Sequence, residues 1–192
     1  MTVANVNLWG RTIGAVSWDS ERSLGHFEYT PAFTDSGIEV APLMMPLSDQ
    51  IYSFPGLPRE TFHGLPGLLA DSLPDRFGNA LIDTWLAREG RSPASFNPVE
   101  RLCYTGTRGM GALEFTPSAG PSPKQARAID VQVLVELASE ILTQRHRVQG
   151  SFASPDRETA LQDILRVGTS AGGARAKAII AWNPDSNTVR SG

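Results

Sequence analysis

Gly64-Leu65-Pro66-Gly67-Leu68-Leu69-Ala70-Asp71-Ser72-Leu73-Pro74-Asp75-Arg76-Phe77-Gly78-Asn79 is the stretch on which the fold of this chain depends. It continues from Phe62-His63 as an apolar turn. Asp71 or Ser72 can cap a helix through a side-chain oxygen, and Pro74 fits the first turn of that helix. Phe77, Leu81 and Trp85 then recur at four-residue spacing, with Ile82 and Leu86 beside them. This predicts a helix from about 74 to 88 with one apolar face, and Gly90 suits its C′ position.

The residues upstream alternate instead. Val6 and Leu8 interleave with Asn5 and Asn7, as in a half-buried strand. Gly10-Arg11 can turn it into a second strand, from Thr12 to Trp18. Asp19-Ser20 turns toward a third, from Gly25 to Thr30, with Phe27 and Tyr29 on one face. The three make an antiparallel meander. Residues 31–60 are loop-rich, with one short strand expected around Ile51 to Phe54.

Downstream, Asn97-Pro98 opens a short helix carrying Leu102, Cys103 and Tyr104 and ending at Gly106. A strand is expected from Gly111 to Thr116. Pro117 to Lys124 is rich in proline, glycine and serine and cannot continue a helix or a central strand, so it marks a subdomain boundary. Asp130 caps a long helix to about Arg145. Ser154-Pro155 starts another, with Leu161, Ile164 and Leu165 apolar, and it runs into a glycine-rich stretch. A strand from Lys177 to Trp182 follows, then the turn Asn183-Pro184-Asp185. Thr188-Val189 begins a return strand near the end, which we take as the mark of a truncated sheet.

With 192 residues, 41% hydrophobic and 19% charged, the composition is that of a globular protein of one or two domains. The net charge of −3 gives no electrostatic footprint for direct nucleic-acid or membrane binding. The single cysteine, Cys103, excludes an internal disulfide and fits a reducing compartment. No apolar run approaches the roughly 20 residues of a membrane helix. A cytoplasmic location is the expectation.

Val167-Gly168-Thr169-Ser170-Ala171-Gly172-Gly173-Ala174-Arg175-Ala176-Lys177 is the one stretch suited to phosphate. Glycines let successive backbone N–H groups converge on an anion, and a nearby cation compensates its charge. Gly168 to Gly173 fits G-x-x-x-x-G, but Ala174-Arg175 stands where a P-loop needs Lys-Ser or Lys-Thr. No G-x-G-x-x-G is present, so the dinucleotide fingerprint and the common kinase loop are both unmatched. A plain helix-to-strand loop stays open on spacing alone. His26, His63 and His146 have no metal-ligand spacing among themselves or with Cys103. His146 suits the basic end of a helix, and His63 reads as structural. Capping explains Asp71 and Ser72 more simply than acid–base chemistry does. Ser170 lies in no nucleophile elbow.

Three of these segments carry a resemblance. Gly64 to Asn79 resembles the N-terminal subdomain of HipA-family toxins. Arg108-Gly109-Met110-Gly111-Ala112-Leu113 resembles the closing segment of that subdomain, and Val167 to Lys177 resembles the family's glycine-rich ATP loop. The three occur in the family's order and span essentially the whole chain. The resemblance implies an α+β fold in two parts. Residues 1–120 would form a small antiparallel-sheet subdomain with helices. Residues 125–192 would start a divergent kinase-like N-lobe.

It also implies a serine/threonine protein kinase acting as the toxin of a toxin–antitoxin module. Its expected partners are a DNA-binding helix-turn-helix antitoxin and a protein substrate, glutamyl-tRNA synthetase or another translation factor. ATP would be held by Ala171, Gly172, Gly173, Ala174, Arg175 and Lys177, with Gly172 and Gly173 cradling phosphates and Lys177 compensating charge. Ser170 matches the serine that family members autophosphorylate, and Thr169 is a second hydroxyl in reach. A phosphorylated loop carries about two negative charges and repels ATP phosphates. Family members are much longer than this chain. Their catalytic aspartate and asparagine, and the aspartate that binds Mg²⁺, fall in a C-terminal lobe with no counterpart here. Catalytic and metal residues are therefore expected to be absent from these 192 residues, and ATP with Mg²⁺ belongs to the full-length protein. The alternative expectation is a non-enzymatic module that restrains a separate HipA-like kinase. A binding domain with an incidental glycine loop is the blander third.

Overall fold

The computed structural model describes residues 1–120, Gln132, Val135, Glu136, Ser139 and 180–191. The chain divides into two compact units. One comprises residues 1–73 and 96–119, the other residues 74–95 and 120–192.

In the first unit, β1 (Thr2–Leu8), β2 (Arg11–Asp19) and β3 (Leu24–Tyr29) form the expected antiparallel meander. Ala4, Val6 and Leu8 point inward while Val3 and Asn5 are exposed, the period-two pattern of a strand with one buried face. The register slips between Val6 and Asn7, where Ile13 becomes an extra residue on β2. β4 (Leu113–Thr116) joins the other side of β1, giving the order β3-β2-β1-β4. Leu113 and Phe115 of β4 face the same core.

The helix α5 (Pro98–Thr105) packs on β1, β2 and β4. It starts as its sequence predicts. Asn97 Oδ1 accepts from the Glu100 N–H at 3.0 Å, and the Glu100 carboxylate accepts from the Asn97 N–H at 2.8 Å. This reciprocal box satisfies two of the N–H groups that a helix start leaves open. Val99 and Leu102 are fully buried beneath it. Phe27, Phe115, Ile13 and Leu69 complete a core in which each large side chain contributes about 2–3 kcal/mol by leaving water. Gly14 is required by this packing, because a Cβ there would lie 2.6 Å from the Phe27 ring.

Three short helical turns connect the sheet to the second unit: α1 (Pro31–Thr34), α2 (Arg59–Phe62) and α3 (Gly67–Ala70). The strand expected near residue 51 is a single bridge, in which Tyr52 exchanges both backbone hydrogen bonds with Phe27, at 2.7 and 2.9 Å. The Gly25 N–H also donates to the Gly64 carbonyl at 2.8 Å. The outer edge of β3 is thereby covered, as an edge strand needs to be.

In the second unit, α4 (Arg76–Arg88) is the predicted amphipathic helix, with Phe77, Leu81, Ile82 and Leu86 buried. Its cap differs from expectation. Asp71 is spent as the C-cap of α3, and Asp75 is the N-cap of α4, its Oδ1 accepting from the Gly78 N–H at 2.8 Å. Pro74 therefore precedes the helix. Gly90 follows its end at φ +68°, the left-handed conformation expected there. β5 (Ile180–Asn183) and β6 (Thr188–Ser191) pair as an antiparallel hairpin. Gln132, Val135, Glu136 and Ser139 are helical, and the rest of the helix expected from Asp130 lies outside the described residues. So does the helix expected from Ser154.

Candidate functional site

Within the first unit the backbone folds residues 41–45 into a turn, the Met45 N–H donating to the Ala41 carbonyl at 2.8 Å. Two tyrosines hold it. The Tyr29 hydroxyl donates to the Met45 carbonyl at 2.9 Å, and the Tyr52 hydroxyl donates to the Pro46 carbonyl. Met45 is driven into the core while Leu43 and Met44 stay exposed. Opposite them stand Phe54, Leu57, Phe62 and Leu68. Between the walls lies a groove of about 430 Å³ with no charged side chain in its lining. Arg59 is engaged elsewhere, donating to the carbonyls of Ser23 and Arg22. The groove can accept apolar side chains. It offers nothing to hold a phosphate.

Burial pushes the Tyr29 phenol up to about 12, and the neighbouring Tyr52 and Glu39 push the same way. Tyr29 thus stays a neutral donor to the loop it anchors. Burial likewise raises the Cys103 thiol to about 11, with the Glu100 charge adding to it. A thiol so protonated and buried is no nucleophile. Tyr104 rises to about 12 through burial, opposed by Arg108, whose guanidinium lies 4.9 Å from the ring centroid and donates to the Tyr104 carbonyl. Burial lowers Arg108 in turn. Asp19 is held below the carboxylate range, chiefly by the Arg22 N–H, and His26 Nε2 lies 3.9 Å from it.

Thr169, Ser170, Ala171, Gly172, Gly173, Ala174, Arg175 and Lys177 all lie outside the described residues, as does His146. The hairpin that follows them, β5 and β6, is described. His63 caps α2 in a left-handed conformation at φ +53°, in line with a structural role. Among the described residues no group of His, Cys, Asp or Glu could hold a metal ion. No described helix is long and apolar enough to cross a membrane. The groove was not foreseen. Its signal was Ala41-Pro42-Leu43-Met44-Met45-Pro46, an apolar run within a loop.

The first motif segment, Gly64 to Asn79, carries α3 and the start of α4, and the second, Arg108 to Leu113, links α5 to β4. Compared with known protein families, residues 4–116 match the HipA N-terminal domain. That span is more than half of the chain. The chain belongs to the HipA family. No curated protein matches it. The HipA N-terminal domain begins at Ala4 in β1 and ends at Thr116, the last residue of β4. It therefore contains the four-stranded sheet from Ala4 onward, the apolar groove and both N-terminal motif segments.

Proposed function

We propose that this chain is the N-terminal part of a HipA-like, ATP-dependent serine/threonine kinase that acts as the toxin of a toxin–antitoxin module. The observation that carries this is one of order. The HipA N-terminal domain occupies residues 4–116, and the glycine-rich segment Val167 to Lys177 follows it, leading into the hairpin β5–β6. A kinase needs a flexible, amide-rich loop beside a strand to cover the ATP phosphates, and a hydroxyl within that loop can serve as a switch. Gly172 and Gly173 cradle phosphate, Lys177 compensates its charge and Ser170 accepts a phosphoryl group. ATP and Mg²⁺ would supply the phosphoryl group and its neutralising cation. Phosphoryl transfer also needs a base and metal ligands, which this segment does not carry. The 192-residue chain should therefore be inactive by itself. A cytoplasmic helix-turn-helix antitoxin and a translation factor as substrate complete the proposal.

The test is incubation of the full gene product with radiolabelled Mg-ATP. Label should enter the full product and not the 192-residue chain. No label in either overturns the kinase assignment. A second reading is a regulatory module that restrains a separate HipA-like kinase. Its support is the first unit, whose core is closed by its own residues. That reading requires the isolated chain to slow such a kinase when added in trans.

A further inference from the structure

β1 and β2 are joined by the two-residue turn Trp9-Gly10, with φ of +49° and +75°. Hairpin turns of this kind favour Asn-Gly or Asp-Gly, and a bulky residue in the first position is strained. Trp9 is also 78% exposed, so its ring contributes little to the core. Neither the turn nor the core calls for tryptophan here. Such strain persists where the side chain serves something outside the fold.

Its neighbours at that end of the sheet fit the same purpose. Arg11 is exposed beside it. The chain enters β4 at Leu113, opposite Leu8, so the loop before it lies at the same end and presents Met110, 57% exposed. Gly111 in that loop has nothing within 4 Å of a would-be Cβ and no left-handed φ, so the fold does not require glycine there.

The first unit also carries an apolar feature of opposite shape, the groove flanked by Leu43 and Met44, which are 93% and 60% exposed. Exposed acids stand close by in sequence: Glu39 precedes the lining residue Ala41, and Glu60 precedes Phe62. Tryptophan and arginine are favoured anchors of protein interfaces, and methionine makes favourable contacts with aromatic rings. We propose that Trp9 of one copy of this chain seats in the groove of a second copy, with Arg11 facing Glu39 and Glu60. Knob and groove are different surfaces, so the contact is head-to-tail and copies can add in series. This goes beyond the kinase reading and does not depend on it.

Sedimentation velocity of the 192-residue chain over a range of concentrations tests it. The mass should rise with concentration and fall as salt is added, because a charged pair flanks the contact. Trp9→Asn should keep or raise the melting temperature, since Asn-Gly suits the turn, yet weaken association about 30-fold. Leu43→Glu, at a position exposed to solvent, should weaken association by a similar factor. Each variant retains the half that the other lacks, so their mixture should form a pair and grow no further. Wild-type protein that stays monomeric, association untouched by Trp9→Asn, or binding to anionic vesicles in place of self-association would each overturn the proposal.

Discussion

In the β1–β2 hairpin a tryptophan occupies the left-handed turn position, at φ +49°, and in the β5–β6 hairpin an asparagine occupies one, at φ +51°. Asn187 suits that conformation, and its Oδ1 accepts from the Trp182 indole N–H at 3.2 Å. Asn183 Oδ1 adds bonds from the N–H groups of Asp185 and Ser186, at 2.9 and 3.2 Å. Local chemistry suits this second hairpin. The first hairpin has the poorer turn and the better surroundings: two further strands, a helix and a buried face. The difference shows how tertiary packing, not turn propensity, fixes β1–β2, whereas β5–β6, a two-stranded ribbon among the described residues, has a turn whose own chemistry favours it.

Truncation of the core should expose this contrast most. Phe27→Ala should cost the first unit about 3–5 kcal/mol, read as a lower urea midpoint. A loss below about 1 kcal/mol would mean that the sheet does not depend on its buried face. Tyr29→Phe comes next, at about 1 kcal/mol for the lost bond to the Met45 carbonyl. It also changes the alkaline limb. The fold favours the protonated phenol, so the stability Tyr29 contributes is complete below pH about 10 and is lost as pH rises through about 12. Tyr104 behaves alike, so the variant should show a shallower decline with pH and not a flat one. Equal slopes in both proteins would remove Tyr29 from the account. Trp182→Ala should do least. The side chain is exposed, and global unfolding should shift by less than about 0.5 kcal/mol while the indole signal of the hairpin disappears.

Much of the first unit was legible because its signals are local. Alternation of Val6 and Leu8 with Asn5 and Asn7 wrote a strand, and Asn97-Pro98 wrote a helix start, to which the structure adds the Glu100 half of the capping box. In the second unit, the periodic Phe77, Leu81, Ile82 and Leu86 wrote α4. What escaped was set by distant partners. β4 joins β1 across about a hundred residues, and nothing near Leu113 announces that neighbour. Tyr52 pairs with Phe27 for one bridge only, which no strand pattern can record. Asp71 and Asp75 are equally good caps by type, and the short helix α3 decides between them by taking Asp71. The groove arises when Tyr29 and Tyr52 clamp a loop whose composition states only that it is apolar. The proposed ATP loop rests on its glycines and on resemblance alone, since its residues lie outside the described ones.

The kinase assignment meets its most direct test in mapping phosphopeptides from the full gene product after reaction with Mg-ATP. The account predicts a single phosphate on the glycine-rich loop, at Ser170 or else at Thr169, and none after both are changed to alanine. Phosphate found only outside those two residues would contradict it.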